Sequence, residues 1–141
     1  MNNTYFNNTT NPSAAYFSME IGLEDSMKTY AGGLGILAGD TLKSAADLEM
    51  NQVGISILYK NGYFKQVIDE SGEQIEAEDH WDYEKHLEDT GKTVSVELGD
   101  GVVTIQILVY RIKGVTGKEV PVYFLNTDID ENEDKYRYIS Y

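Results

Sequence analysis

The chain has 141 residues, no cysteine, and 24 acidic against 11 basic side chains, for a formal net charge of −13. That length predicts one domain, and 41% hydrophobic with 25% charged residues is ordinary globular usage. Disulfide and thiolate chemistry are excluded, the charge argues against nucleic acid and anionic membranes, and no apolar run nears the ~20 residues of a membrane span.

The charge is uneven. Acidic residues crowd into 69–89 and 128–134, whereas 28–66 carries Lys28, Lys43, Lys60 and Lys65 against Asp40, Asp47 and Glu49. An anion would meet least resistance there. The Asn/Thr-rich start lacks the basic and apolar regions of a secretion signal, so a cytoplasmic enzyme is the expectation.

Residues 1–12 read as a disordered tail. Ser13 to Met19 is apolar and aromatic, a candidate buried strand. Glu20 to Tyr30 reads as a loop. A helical pattern follows from about Leu34 to Leu48, with Leu34, Ala38, Leu42, Ala45 and Ala46 marking one face. Its small residues predict close approach to a sheet, and Asp40, Lys43 and Asp47 are expected to point outward.

Gln52 to Tyr59 predicts a second strand, with Val53, Ile55, Ile57 and Tyr59 on one face and Gly54, Ser56 and Leu58 on the other. Asn61-Gly62 is the strongest hairpin signal in the chain, since both residues tolerate the positive φ of a type I′ turn. Tyr63 to Ile68 is expected to return as its partner strand. The order predicts a βαβ unit with an added hairpin. Residues 69–91 read as acidic and irregular. Strands are predicted over 93–98, 102–112 and 120–125. A polar loop over 126–134 and a helix over 135–141 follow.

The sharpest motif is Tyr30-Ala31-Gly32-Gly33-Leu34-Gly35, between a strand and a helix. A helix start leaves four N–H groups without intrahelical partners and carries about half a positive charge. Glycines there allow a phosphate to reach the backbone without a Cβ in the way. Such turns also occur simply to make a tight bend. The spacing is neither a Walker A loop nor a dinucleotide fingerprint.

The runs Tyr16 to Leu23, Tyr30 to Asp40 and Leu42 to Leu48 together resemble the start of bacterial and archaeal α-glucan (glycogen or maltodextrin) phosphorylases. Val53-Gly54-Ile55, Leu58-Tyr59 and Gly62 to Gln66 continue the resemblance, and Val120 to Tyr123 with Asp128-Ile129 extend it. It covers roughly Ala15 to the end. Gly22 stands where long animal-type members have an aromatic residue, which points to the short prokaryotic type.

The resemblance implies an α/β fold: the amino-terminal portion (13–141) of the first of two Rossmann-like domains in a glycosyltransferase-B type fold, with added β-hairpins. It implies cleavage of a terminal α-1,4 bond by inorganic phosphate, releasing glucose 1-phosphate. Pyridoxal phosphate would be held by a lysine of the second domain, which this chain lacks. Gly32, Gly33, Leu34 and Gly35 would meet phosphate and sugar through backbone N–H groups. Glu20 matches an acid lining the cleft, with a local structural contact as its alternative role. The expected partners are α-1,4-glucan, phosphate and the missing second domain. The chain alone is expected to be inactive, and its uncovered surface predicts a homo-oligomer.

Two other functions remain open at this point. One is a glycogen or starch synthase-like glucosyltransferase, although such enzymes usually carry a basic residue where Tyr30 stands. The other is a non-catalytic glucan-binding module. Weaker constellations are His80 and His86, read as surface histidines in an acidic loop rather than metal ligands. Asp128, Asp130, Asn132 and Asp134 mimic a calcium loop but lack its glycine and final glutamate, and read as solvated. Tyr59, Tyr63, Phe64 and Tyr83 are candidates for stacking on sugar, with core or interface packing as the alternative.

Overall fold

The computed structural model describes residues 13–140; the predicted tail over 1–12 and the final Tyr141 lie outside them. The chain is a mixed α/β structure. Five strands form one sheet in the order β1-β2-β7-β6-β5, and two more form a separate ribbon, β3-β4. The strands are β1 (Ala14–Phe17), β2 (Gln52–Ile57), β3 (Lys65–Ile68), β4 (Gln74–Ala77), β5 (Glu88–Leu98), β6 (Gly101–Lys113) and β7 (Glu119–Asn126). The helices are α1 (Gly33–Asp47) and a short α2 (Asp134–Arg137).

β1, β2 and β7 run parallel, and α1 is the crossover from β1 to β2. β6 pairs antiparallel with both β7 and β5. The tight Gly99-Asp100-Gly101 turn joins β5 to β6, with Gly99 at φ 64°.

α1 covers one face of this sheet. Ala38, Leu42, Ala45 and Ala46 are buried, and so are Val120, Val122 and Phe124 of β7 and Leu108 and Ile112 of β6. All of them belong to one core. Small residues bring the layers together: a Cβ on Gly54 of β2 would lie 2.8 Å from Leu42 Cδ1 and 3.2 Å from Val122. Leu34 departs from the expected helical face, being 78% exposed. It sits in the first turn, beyond the sheet, and Gly35 and Gly39 are the buried positions there. Asp40, Lys43 and Asp47 are exposed.

The expected hairpin at Asn61-Gly62 does not form. Both edges of β2 are occupied, by β1 and β7, so no edge was left for β3. Gly62 N donates instead to Asp79 O at 2.7 Å, and Asn61 bridges His80. β3 pairs with β4, and the turn is 69–73, with Gly72 at φ 85° and Asp69 accepting from the N–H groups of Ser71 and Glu73. The stretch expected to be irregular therefore holds a strand, a 3-10 turn (Tyr83–Lys85) and the start of β5. Trp81 closes this region by donating from Nε1 to Tyr59 O at 2.8 Å.

The acidic loop after β7 is less solvated than its composition suggests. Asp128 forms ion pairs with Lys60 at 2.5 Å and Arg137 at 2.6 Å. The Lys60 bond, then that of Arg137, holds its carboxyl below the usual range against the cost of burial. Buried Asn132 accepts from Thr104 N and donates to the carbonyls of Thr104 and Thr127. Asp130, Glu131 and Asp134 remain exposed.

Candidate functional site

The chain leaves β1 at Phe17 and turns on Ser18, whose Oγ donates to Glu20 O at 2.7 Å. Ile21 is fully buried. Its N–H donates to Thr29 O at 3.1 Å, and Thr29 Oγ1 donates back to Ile21 O at 2.5 Å. This pairing closes the loop that carries Tyr30 and Ala31 to the start of α1.

Gly32 is the N-cap, in extended conformation at φ −152°, and supplies no side-chain cap. The first turn of α1 contains no acidic residue, so the helix's own side chains do not offset its positive end. Gly35 N and Ile36 N donate to Gly32 O at 3.1 and 3.4 Å. Among the described residues, the N–H groups of Gly33 and Leu34 have no partner. A Cβ at Gly32 or Gly33 would meet nothing within 4 Å. Space is open where an incoming group would approach.

Gly35 differs from its neighbours. It is buried, its N–H is already engaged, and a Cβ there would lie 2.3 Å from Tyr30 Cβ. It admits the Tyr30 side chain against the helix. Glu20 lies across the loop, and its Oε2 accepts from Ala31 N at 3.3 Å.

Beside the loop is a cleft of about 310 Å³, lined by Glu20, Lys28, Tyr30, Ala31, Tyr59 and Tyr63 among others. Lys28 forms a 3.2 Å ion pair with Asp79. Burial, then the charge of Glu20, raises the Tyr59 phenol above its ordinary value. Tyr63 is 81% exposed and lies 4.7 Å from the Phe64 ring. Tyr83 stands apart from the cleft, against Trp81 and under the Lys60 ammonium. Of the aromatic candidates, the structure thus brings Tyr59 and Tyr63 to the cleft, with Phe64 next to Tyr63.

The histidines make local contacts. His80 bonds Asn61 Oδ1 and Glu78 Oε2, and His86 lies 3.6 Å from Glu24. Among the described residues, no three His, Asp or Glu side chains gather as metal ligands.

Sequence reading gave Gly22 and Gly39 no packing role. A Cβ on Gly39 would sit 1.9 Å from Gly22 O, and Gly22 N donates to Gly35 O at 2.8 Å. The signal was present as Gly35-x-x-x-Gly39, two glycines one turn apart on a helix that otherwise favours alanine and leucine.

The carbohydrate phosphorylase family profile matches residues 20–129. The chain is 38% identical over 129 residues to the maltodextrin phosphorylase of Thermococcus litoralis, covering 88% of this chain and 15% of that protein. It is 40% identical over 133 residues to the glycogen phosphorylase of Mycobacterium tuberculosis, covering 89% and 15%. An uncharacterised protein of Methanocaldococcus jannaschii is 39% identical over 127 residues, covering 90% and 24%. The chain thus spans 15% to 24% of the length of these relatives. With the match running from Glu20 through the glycine loop to Ile129, the chain belongs to the carbohydrate phosphorylase family.

Proposed function

We propose that this chain is the amino-terminal part of an α-1,4-glucan phosphorylase. In that reaction a phosphate oxygen bonds to the anomeric carbon of the terminal glucose. The glycosidic C–O bond breaks, and the departing glucan oxygen takes a proton to become a hydroxyl. The observation that carries the reading is the open helix start inside the family-matched segment: the N–H groups of Gly33 and Leu34 have no partner among the described residues, and a Cβ at Gly32 or Gly33 would meet nothing within 4 Å. Fixed amide dipoles of this kind stabilise an anion with no reorganisation during reaction.

The parallel β1-α1-β2 unit, continued by β7, supports the reading of a partial Rossmann-like domain in a glycosyltransferase-B type fold. The glycine loop follows the carboxyl end of β1, where open α/β sheets bind ligands. Tyr59 and Tyr63 offer aromatic surface and Glu20 a hydrogen-bond acceptor beside the loop, consistent with a glucan end as the neutral substrate.

Pyridoxal phosphate is the cofactor the family implies, and the described residues do not fit it by themselves. Lys28, the lysine on the cleft, is ion-paired with Asp79. No step is assigned to the cofactor on this chain. Its lysine belongs to sequence outside these 141 residues, and catalysis requires that sequence. No helix among the described residues is long and apolar enough to cross a membrane. A cytoplasmic setting is part of the proposal.

The test is a chimera in which residues 20–129 replace the matching segment of the Thermococcus litoralis maltodextrin phosphorylase. The chimera should release glucose 1-phosphate from maltooligosaccharides and phosphate. Gly33→Val should reduce that release at least about a hundredfold, the loss typical of one oxyanion-stabilising group, with an unchanged circular dichroism spectrum. A folded chimera without activity, or full activity in Gly33→Val, overturns the reading.

A further inference from the structure

We propose that Glu20 is a positioning residue: its carboxylate fixes the Ala31 peptide and thereby sets where the free N–H groups of Gly33 and Leu34 point. The functional meaning rests on the anion-binding reading of the loop, whereas the geometry stands without it.

The backbone that carries Glu20 is clamped on every side. Ser18 Oγ donates to Glu20 O at 2.7 Å and accepts from Glu20 N at 3.4 Å. The next residue, Ile21, exchanges two bonds with Thr29. The residue after it, Gly22, donates to Gly35 O and lies so close to Gly39 that a Cβ on Gly39 would sit 1.9 Å from Gly22 O. Residues 20–22 are thus strapped between the return of the loop and the first two turns of α1.

From that strap the Glu20 side chain crosses the loop. Its Cβ borders the space that Gly35 leaves to Tyr30, since a Cβ on Gly35 would lie 3.2 Å from it. Its Oε2 accepts from Ala31 N, two residues before Gly33. At 3.3 Å this is a long, exposed bond from backbone to a carboxylate. The carboxylate also lies near the positive end of α1, where negative charge is favoured. A side chain that served only to touch ligand would leave both oxygens to the cleft. Here one is committed to the loop.

The test uses the 141-residue chain and amide hydrogen exchange read by NMR. Glu20→Ala should speed exchange at Ala31 about tenfold, the scale of one lost hydrogen bond, and shift the Gly33 and Leu34 amide resonances. Ile21 and Gly22 should keep their protection. Glu20→Gln, whose side-chain oxygen can accept the same bond, should restore Ala31 to within about threefold of the parent, a loss of less than half that bond. Unchanged exchange at Ala31 in Glu20→Ala overturns the proposal. So does loss of protection at Ile21 and Gly22 in Glu20→Gln, which would make Glu20 a general fold residue. A chimera without phosphorolysis alongside the expected Ala31 result would retire the functional reading and leave the positioning role standing.

Discussion

Gly22, Gly35 and Gly39 bring two backbones into direct contact, and that contact locates the loop leading into α1. Gly39→Ala would place a Cβ 1.9 Å from Gly22 O, a backbone atom that cannot rotate away. The helix must part from residues 20–22, and the bond from Gly22 N to Gly35 O must stretch. Overpacking of this kind costs roughly 1–3 kcal/mol. Gly33→Ala is the matched control, because its Cβ meets nothing within 4 Å. Removing glycine freedom there should be neutral or stabilise by about 0.4–1 kcal/mol. Urea unfolding midpoints should therefore fall for Gly39→Ala and hold or rise for Gly33→Ala. Two equal midpoints would mean that the helix and the strap are not in register.

Tyr110 supplies a pH signature at the same scale. Its hydroxyl donates to Glu24 Oε1 at 2.6 Å. Burial and then this carboxylate push the phenol up to about 12. The folded state holds the proton where the unfolded chain releases it. Its contribution is therefore fully present below pH 10 and is lost as pH rises from about 10 towards 12. Tyr110→Phe should flatten that part of the stability curve. The phenolate absorbance titration of the parent should contain one late-ionising tyrosine that the variant lacks. An identical alkaline stability profile in parent and variant would contradict the assigned bond.

At the scale of elements, α1 ends in a Schellman motif. Met50 N donates to Ala45 O at 2.8 Å and Glu49 N to Ala46 O at 3.2 Å. The left-handed position is held by Glu49, at φ 56°, where glycine is usual. A left-handed backbone costs a non-glycine residue roughly 1–2 kcal/mol, against about 0.5–1 for the added freedom of glycine. Glu49→Gly should give a net gain of up to about 1 kcal/mol, read as a rise in melting temperature. A fall would show that the exposed Glu49 side chain contributes more than its backbone strain costs.

Elements with local signals were legible. α1, β5, β6 and β7 follow from periodicity and from glycine-bearing turns, and the parallel β1-α1-β2 unit follows from their order. Pairing was not legible where it depended on a competitor far along the chain. Asn61-Gly62 had hairpin chemistry, but β7, far along the chain at Glu119–Asn126, occupied an edge of β2 that β3 would have needed. The loop glycines were visible as a motif, yet their division into open (Gly32, Gly33) and packing (Gly35) required knowledge of where Tyr30 and Glu20 lie. The bond from Ala31 N to Glu20 Oε2 carries no sequence signature at all.

The whole molecule presents a sheet covered unequally on its two sides. α1 buries the face of Gly54, Val122, Phe124 and Leu108. On the opposite face, among the described residues, α2 covers the far end, where Tyr136 packs on Val103 and Ile105. Across the register, Phe17 pairs with Ile55 and Ile55 with Tyr123, while Ile57 pairs with Leu125 and Leu125 with Ile107. These residues line an open apolar surface, and Phe17 is 73% exposed at its border. Near β1 it forms a groove of about 230 Å³, bounded by Phe17, Met19, Ile55, Ile57 and Leu125. Parallel strands are normally covered on both faces. Two forces therefore act between copies of this chain: apolar attraction through this face, and repulsion from a net charge of −13. Salt separates them. The screening length falls from about 10 Å at 0.1 M to about 3 Å at 1 M, while apolar burial persists or strengthens. Light scattering should therefore show a molar mass that rises with sodium chloride at fixed protein concentration. Phe17→Asp should suppress the rise by placing a like charge on the contact surface. A mass that stays monomeric up to 1 M salt would mean that this face is not adhesive between copies, and the expectation of a homo-oligomer would fall with it.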